Sequence, residues 1–212
     1  LLKINEIFYS IQGESTKAGL PCIFIRLTYC NLRCSYCDTK YAFYEGNDLS
    51  VDEVLSEINR YNCKLVEITG GEPLVQKDSL ELITKLCDNG YTVMLETSGS
   101  LPVKDVDKRV KIILDVKTPS SKMSKKNMFE NFDYLKNGDE LKFVIGSKED
   151  FEWSKDIIRK YKLEGKYEIL FSPVFGSIKP VELAGLVLDD NLNVRMQLQL
   201  HKYIWDPEKR GV

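Results

Sequence analysis

One histidine in 212 residues, no long apolar run and no excess of either charge already narrow what this sequence can encode. No segment approaches the roughly 18 to 20 apolar residues of a membrane span, and the N-terminus lacks the basic, apolar and small-residue series of an export signal. No membrane partner and a cytoplasmic location are therefore expected. Lysine and arginine total 30 against 32 for aspartate and glutamate, a formal charge of -2. That balance argues against gripping nucleic acid through bulk charge and points to a small-molecule partner. Six cysteines would make a disulfide framework only in a short secreted chain, so reduced thiols are expected here. With 43% apolar and 29% charged residues the chain is composed like an ordinary globular protein, and its length suits a single domain over residues 1–212.

What is present is an alternation. Short runs rich in β-branched and aromatic residues recur at 22–28, 64–69, 91–97, 111–116, 141–145, 167–171 and 193–198. Helix-period segments fall between several of them: 50–61, opened by a Ser50/Glu53 capping box, and 78–89, closed by Gly90, with further candidates at 148–161 and 179–188. Strands separated by crossovers predict an α/β fold with a mostly parallel, curved sheet or a partial barrel. Ligands in such folds sit beyond the carboxyl ends of the strands. The unusual loops follow strands: the cysteine segment, Thr69–Pro73, Thr97–Gly99, Lys117–Ser121 and Ser172–Val174. The stretch 120–127 reads as a mobile charged loop.

Cys22, Cys63 and Cys87 stand apart, whereas Cys30, Cys34 and Cys37 form CxxxCxxC, tight enough for three sulfurs to face one centre. The isolated cysteines read as small packed hydrophobes. A structural zinc would need a fourth ligand from Cys22, Cys63, Cys87 or His201, none at zinc-finger spacing. An iron-sulfur cluster can be held by three thiolates with one iron left open, which is the stronger reading.

CxxxCxxC with Tyr36 before the last cysteine, followed after the next strand by Gly70, Gly71, Glu72 and Pro73, resembles the radical S-adenosylmethionine (radical SAM) superfamily. The fold this implies is the incomplete β/α barrel of that superfamily. The implied cofactors are a 4Fe-4S cluster and S-adenosyl-L-methionine, whose one-electron cleavage yields a 5'-deoxyadenosyl radical. EIFYSIQGE at 6–14, FIRLTYCNLRCSYCDT at 24–39, ITGGEP, LETSG and Gln199-Leu200-His201-Lys202 resemble, in that order, the motifs of the 7-carboxy-7-deazaguanine synthase family. That resemblance implies a carbon-nitrogen lyase of 7-deazapurine and queuosine biosynthesis. Its reaction contracts the ring of 6-carboxy-5,6,7,8-tetrahydropterin to 7-carboxy-7-deazaguanine with loss of ammonia, and no protein acid or base is assigned.

By the same resemblance Cys30, Cys34 and Cys37 hold the cluster, and Thr39 ligates Mg2+. Tyr36, Cys37, Asp38, Gly71, Glu96, Ser98, Lys117, Ser172 and Pro173 line S-adenosylmethionine, and Ile11, Gln12, Gly13, Glu14, Arg26, Thr69 and His201 contact the substrate. Asp115 and Ser172 depart from the family's usual Ser and Gln. Physical reasons support several roles: a guanidinium forks onto a carboxylate, a hydroxyl suits a hard cation, and glycine lets backbone approach a ligand. A flavodoxin- or ferredoxin-like electron donor and a homodimer are further implications. A glycyl-radical-enzyme activase would share CxxxCxxC but not QGE, CDT or QLHK, and a zinc-binding module without catalysis would leave GGEP unexplained.

Overall fold

The computed structural model describes residues 1–212. In chain order the strands and helices are β1 (Leu2–Ile11), β2 (Pro21–Leu27), β3 (Asn47–Leu49), α1 (Val51–Ile58), β4 (Leu65–Gly70), α2 (Ser79–Asp88), β5 (Thr92–Thr97), β6 (Lys111–Asp115), β7 (Glu140–Ile145), α3 (Lys148–Tyr161), β8 (Glu168–Pro173), α4 (Pro180–Asp189), β9 (Arg195–Met196) and the one-turn α5 (His201–Ile204). All nine strands join one sheet in the order β3-β1-β2-β4-β5-β6-β7-β8-β9. From β2 to β9 every neighbouring pair is parallel. The first and last strands in that order do not meet, so the sheet remains an open α/β layer.

Local chemistry accounts for the helices. Ser50 Oγ accepts from Glu53 N while the Glu53 carboxylate accepts from Ser50 N, the reciprocal cap the sequence predicts for α1. Ser147 Oγ accepts from Asp150 N and starts α3, whose charged last turn ends at Lys162 in a left-handed conformation. Apolar residues of α1 to α4, among them Val54, Leu82, Phe151 and Leu183, bury one sheet face together with Ile25, Ile68, Leu95, Leu114, Phe143 and Phe171.

Two expectations are corrected. Residues 2–11, read as a motif rather than a strand, form the longest strand, which pairs antiparallel with both β2 and β3. The stretch 120–127 is not a loose charged loop. It contains two 3-10 turns, and Asn127 ties it to Lys117, accepting from Lys117 N at 2.8 Å and donating to Lys117 O at 2.9 Å.

Candidate functional site

Because side chains alternate along a strand, the residues that leave the helix-covered core point to the opposite, concave face. In β2 to β8 these include the apolar Phe24, Met94, Ile113, Val144 and Leu170 and, mostly toward the carboxyl ends, the polar Arg26, Glu67, Thr69, Glu96, Asp115, Lys142 and Ser172, each beside an apolar neighbour packed on the helices. The cysteine loop follows β2, GGEP follows β4, LETSG follows β5 and Lys117 follows β6, so the parallel order of these strands gathers all four segments at one edge.

Glycine at the GGEP turn has a use within the protein itself. A side chain on Gly71 would overlap the Tyr29 carbonyl oxygen and reach Cys30 Cβ at 3.1 Å, so this glycine lets the turn lie directly against the cysteine loop. The contact is fastened by Gly71 N to Leu27 O at 3.0 Å and Glu72 N to Tyr29 O at 2.8 Å. Glu72, absent from the predicted site, is wholly buried and accepts from Thr97 Oγ1 at 2.8 Å, Ser98 N at 2.7 Å and Ser98 Oγ at 2.5 Å. It therefore joins the second motif to the third, and the Ser98 hydroxyl already serves that join. The signal that could have found it is a carboxylate in an apolar turn, which needs donors nearby.

Cys30, Cys34 and Cys37 are all free thiols, half-buried on one loop. Burial pushes the Cys30 and Cys34 thiols up, and the Lys117 ammonium acts in the opposite direction on both. Three soft thiolates with a buried cation behind them suit a cluster carrying net negative charge. No three His, Cys, Asp or Glu side chains close on a single point as a lone metal ion would require. Cys30, Cys34 and Cys37, on one short loop, are the residues that would hold an iron-sulfur cluster. Cys22 is buried on β2, Cys63 donates to Pro21 O and Cys87 lies in α2, so none completes a zinc site. The zinc-module alternative thus finds no fourth cysteine here.

Around the loop, Tyr36 Oη lies 3.4 Å from Thr118 Oγ1, and burial with the Asp115 charge pushes its phenol up to about 12. Lys117 Nζ lies 2.7 Å from Asp115 Oδ2; burial opposes the ammonium, yet Asp115, Cys34 and Tyr36 keep it charged above its ordinary range. Asp38 accepts from Lys202 Nζ at 2.8 Å. Thr39 stands at the N-cap of the 3-10 turn Lys40–Phe43 but its hydroxyl caps nothing, and its Oγ1 lies 3.8 Å from Cys37 Sγ.

The loop after β1 crosses the concave face. Thr16 Oγ1 reaches Glu140 at 2.5 Å, and Glu14 meets Lys142 at 2.7 Å. Gln12 donates from Nε2 to Glu67 Oε2 at 2.6 Å and accepts from Glu14 N at 3.0 Å, shaping the loop that Ile11 leads into. Gly13 accepts from Leu200 N, and a side chain there would meet His201 Nδ1 at 2.7 Å, so glycine seats α5 against the loop. Burial lowers the affinity of His201 for a proton, while Glu14 and Asp38 oppose that effect. Arg26 pairs with Glu6 through Nε at 2.7 Å and lies between the Phe8 and Tyr41 rings, which leaves both terminal amino groups of its fork without a protein acceptor. Glu96 accepts from Thr69 Oγ1 at 3.0 Å and Lys142 Nζ at 2.6 Å. Ser172, ahead of Pro173 at the end of β8, accepts from Gln197 Nε2 at 3.1 Å, so an amide is present where Ser replaces the expected Gln, supplied by the residue that follows β9.

Near the carboxyl ends of the strands the buried acceptors Asp115 Oδ1 and Gln197 Oε1 lack a hydrogen-bond donor, and Glu14 Oε2 has only the Lys142 ammonium, 2.7 Å away. Such groups are costly unless a donor-rich ligand meets them. S-Adenosylmethionine, with its ammonium and ribose hydroxyls, and a pterin, with its N–H edge, are ligands of that kind. The cavities lined by Phe129, Tyr161 and Tyr167 and by Ser147, Val181 and Gly185 lie elsewhere.

The Radical SAM superfamily model matches residues 24–176. The 7-carboxy-7-deazaguanine synthase of Chlorobaculum tepidum is 48% identical, covering 100% of this chain and 97% of that protein. The protein of the same name from Koribacter versatilis is 43% identical over the full length of both. Among solved structures, QueE from Escherichia coli matches with a TM-score of 0.77 and 25% identity over 93% of each chain. Streptococcus suis SuiB bound to S-adenosylmethionine shares the fold at a TM-score of 0.54 and 17% identity, over 81% of this chain and 48% of that one.

Proposed function

The chain belongs to the 7-carboxy-7-deazaguanine synthase family of the radical SAM superfamily, and from that membership we propose that it converts 6-carboxy-5,6,7,8-tetrahydropterin to 7-carboxy-7-deazaguanine with loss of ammonia, acting as a radical SAM carbon-nitrogen lyase. The observation that carries this reading is the concave face itself: a free guanidinium fork and two unpartnered acceptors, Asp115 Oδ1 and Gln197 Oε1, stand beside a three-thiol loop. The cluster and S-adenosylmethionine, when bound, supply one-electron chemistry that removes a hydrogen atom from the substrate.

This chain's residues hold and orient. Cys30, Cys34 and Cys37 hold the cluster. Arg26 takes the substrate carboxylate on its terminal amino groups, with Nε fixed by Glu6, so the fork arrives oriented. Glu14 accepts from the pterin's N–H edge, and Gln12, Gly13, Thr69 and His201 shape the walls on that side. Asp115 and Lys117 act together beside the methionine end: Lys117 faces its carboxylate while Asp115 Oδ1 takes a donor. Thr39, with a hydroxyl that caps no backbone amide, ligates Mg2+ together with substrate and water. The closed contact of Gly13, Leu200 and His201 keeps bulk water from one side of this face, which a reactive radical requires.

No helix is long and apolar enough to cross a membrane. Six free cysteines accord with a reducing, cytoplasmic setting. The exposed Val181 and Leu188 on α4 fit a homodimer contact. A flavodoxin- or ferredoxin-like protein supplies the electron.

The test is anaerobic. The chain is reconstituted with iron and sulfide, then given dithionite, S-adenosylmethionine, Mg2+ and the tetrahydropterin, with product read by mass spectrometry. Formation of 7-carboxy-7-deazaguanine by the parent and not by Cys34→Ala is expected. Cleavage of S-adenosylmethionine without that product would replace the substrate; an iron-free, inert protein would overturn the reading altogether.

A further inference from the structure

Lys142 belongs to no sequence motif, yet it sits where the candidate substrate and cofactor contacts meet. Its ammonium lies 2.7 Å from Glu14 Oε2 and 2.6 Å from Glu96 Oε1, and its side chain is only 6% exposed. The two carboxylates come from different elements, the loop after β1 and β5, and each is tied from its far side: Gln199 Nε2 donates to Glu14 Oε1 at 2.9 Å and Thr69 Oγ1 to Glu96 Oε2 at 3.0 Å. A third carboxyl, Glu67, is buried on β4 with Gln12 as its hydrogen-bond partner.

The charges on this face have been matched off elsewhere. Lys117 is paired with Asp115 at 2.7 Å, Lys202 with Asp38 at 2.8 Å, Arg26 with Glu6 at 2.7 Å and Lys111 with Glu140 at 2.7 Å. Burial of His201 favours its neutral form. Lys142 is thus the one cation left for Glu14, Glu67 and Glu96. Burial opposes the Glu96 charge, and Lys142 overcomes it, holding that carboxyl below its usual range. Burial and the neighbouring Glu96 drive Glu67 well above it, with the Gln12 hydrogen bond and Lys142 opposing. A buried ion pair adds little net stability over an apolar side chain of similar shape, so the fold alone gives no reason for a lysine here.

We propose that Lys142 is a positioning residue for the reaction proposed above, its single ammonium pairing with Glu14 and Glu96 and aiming both so that they present acceptors to the donor groups of substrate and cofactor. The inference rests on that reading of the site. Without the ammonium, the buried Glu67 and the half-buried Glu14 and Glu96 share one space with no counter-charge; the cluster then holds protons the parent does not, and an acceptor becomes a hydroxyl donor turned toward another donor. The damage is therefore largest at low pH and shrinks as rising pH ionises the carboxyls again. Glu67 on β4, Asp115 and Lys117 beside β6, Asp38 on the cysteine loop, and His201 and Lys202 on α5 face the same space, and all are unchanged between parent and variant.

The experiment measures equilibrium binding to the anaerobically reconstituted full chain. The ligands are 6-carboxy-5,6,7,8-tetrahydropterin and, separately, S-adenosylhomocysteine, from about pH 6.5 to about pH 8.5. Parent, Lys142→Met, Lys142→Arg and Glu14→Gln are compared. Lys142→Met is expected to bind the pterin roughly tenfold or more weakly at the acid end and to approach the parent at the alkaline end. Lys142→Arg retains most of the affinity, and Glu14→Gln is weakened by a similar factor at every pH. Parent-like binding by Lys142→Met, or a loss of one constant size across the range, overturns the proposal, since a packing defect has no such pH signature. If Lys142→Met does not fold, the other two variants decide: weak Glu14→Gln beside a competent Lys142→Arg supports the assignment, and parent-like Glu14→Gln overturns it. The S-adenosylhomocysteine measurements read the Glu96 half whether or not the pterin is the substrate. A wrong substrate and a wrong role for Lys142 thus give different results.

Discussion

The two faces of the same strands differ in almost every property. Toward the helices, β4 to β8 present Val66, Ile68, Val93, Leu95, Ile112, Leu114, Leu141, Phe143, Ile169 and Phe171, packed with no polar partner to satisfy. Toward the concave side the intervening residues include Glu67, Thr69, Glu96, Asp115, Lys142 and Ser172, buried or nearly so and bonded mostly to groups far away in sequence. One face is held by removal of apolar area from water, the other by matched charges whose net stability is small. A substitution should therefore cost either folding or chemistry, according to which way the side chain points.

The sharpest way to break that division is Cys34→Ala. Product formation should fall to background while the melting temperature of the cluster-free chain stays that of the parent; an equal loss in both would mean the loop is part of the folding core. On the other face, Phe143→Ala removes a wholly buried ring whose centroid is 5.6 Å from that of Phe171. It should cost about 3–5 kcal/mol in urea unfolding, with ligand affinity per folded molecule preserved. Arg26→Lys keeps the charge but loses the fork. It should weaken pterin binding by about 1.5–3 kcal/mol while S-adenosylmethionine cleavage persists, read as a rise in KM without a matching rise for the cofactor. The smallest effect belongs to Ser50→Ala, which opens the α1 cap at about 1 kcal/mol and should leave turnover untouched.

The helix-facing half was open to sequence reading because its signals are local. The Ser50/Glu53 box, the apolar spacing of α2 and the span 148–161 each depend on residues within a few turns of one another, and the observed bounds follow closely. The cysteine loop was equally legible, since three soft ligands in eight residues have few other uses. The concave half was legible only at its motifs. Lys142 and Glu67 lie inside strands, where a charged residue ordinarily marks the solvent side; they become interior only because the loop after β1 lies over them. Glu72 needs Thr97 and Ser98, and no local pattern announces a pairing across 25 residues. β1 was hidden for a similar reason. Its polar positions Lys3, Asn5 and Glu6 blur the alternation, and its partner strands are known only once the sheet has formed.

The bond from Gln199 to Glu14 spans 185 residues, and the neighbouring Leu200 amide closes on Gly13. Closing so long a loop carries a large entropic cost and comes late when a chain folds. The wall on the substrate side is therefore held by segments that meet only once the sheet between them is assembled, so a partial unfolding that frees residues 199–201 would open the chamber while the three-thiol loop stays in place.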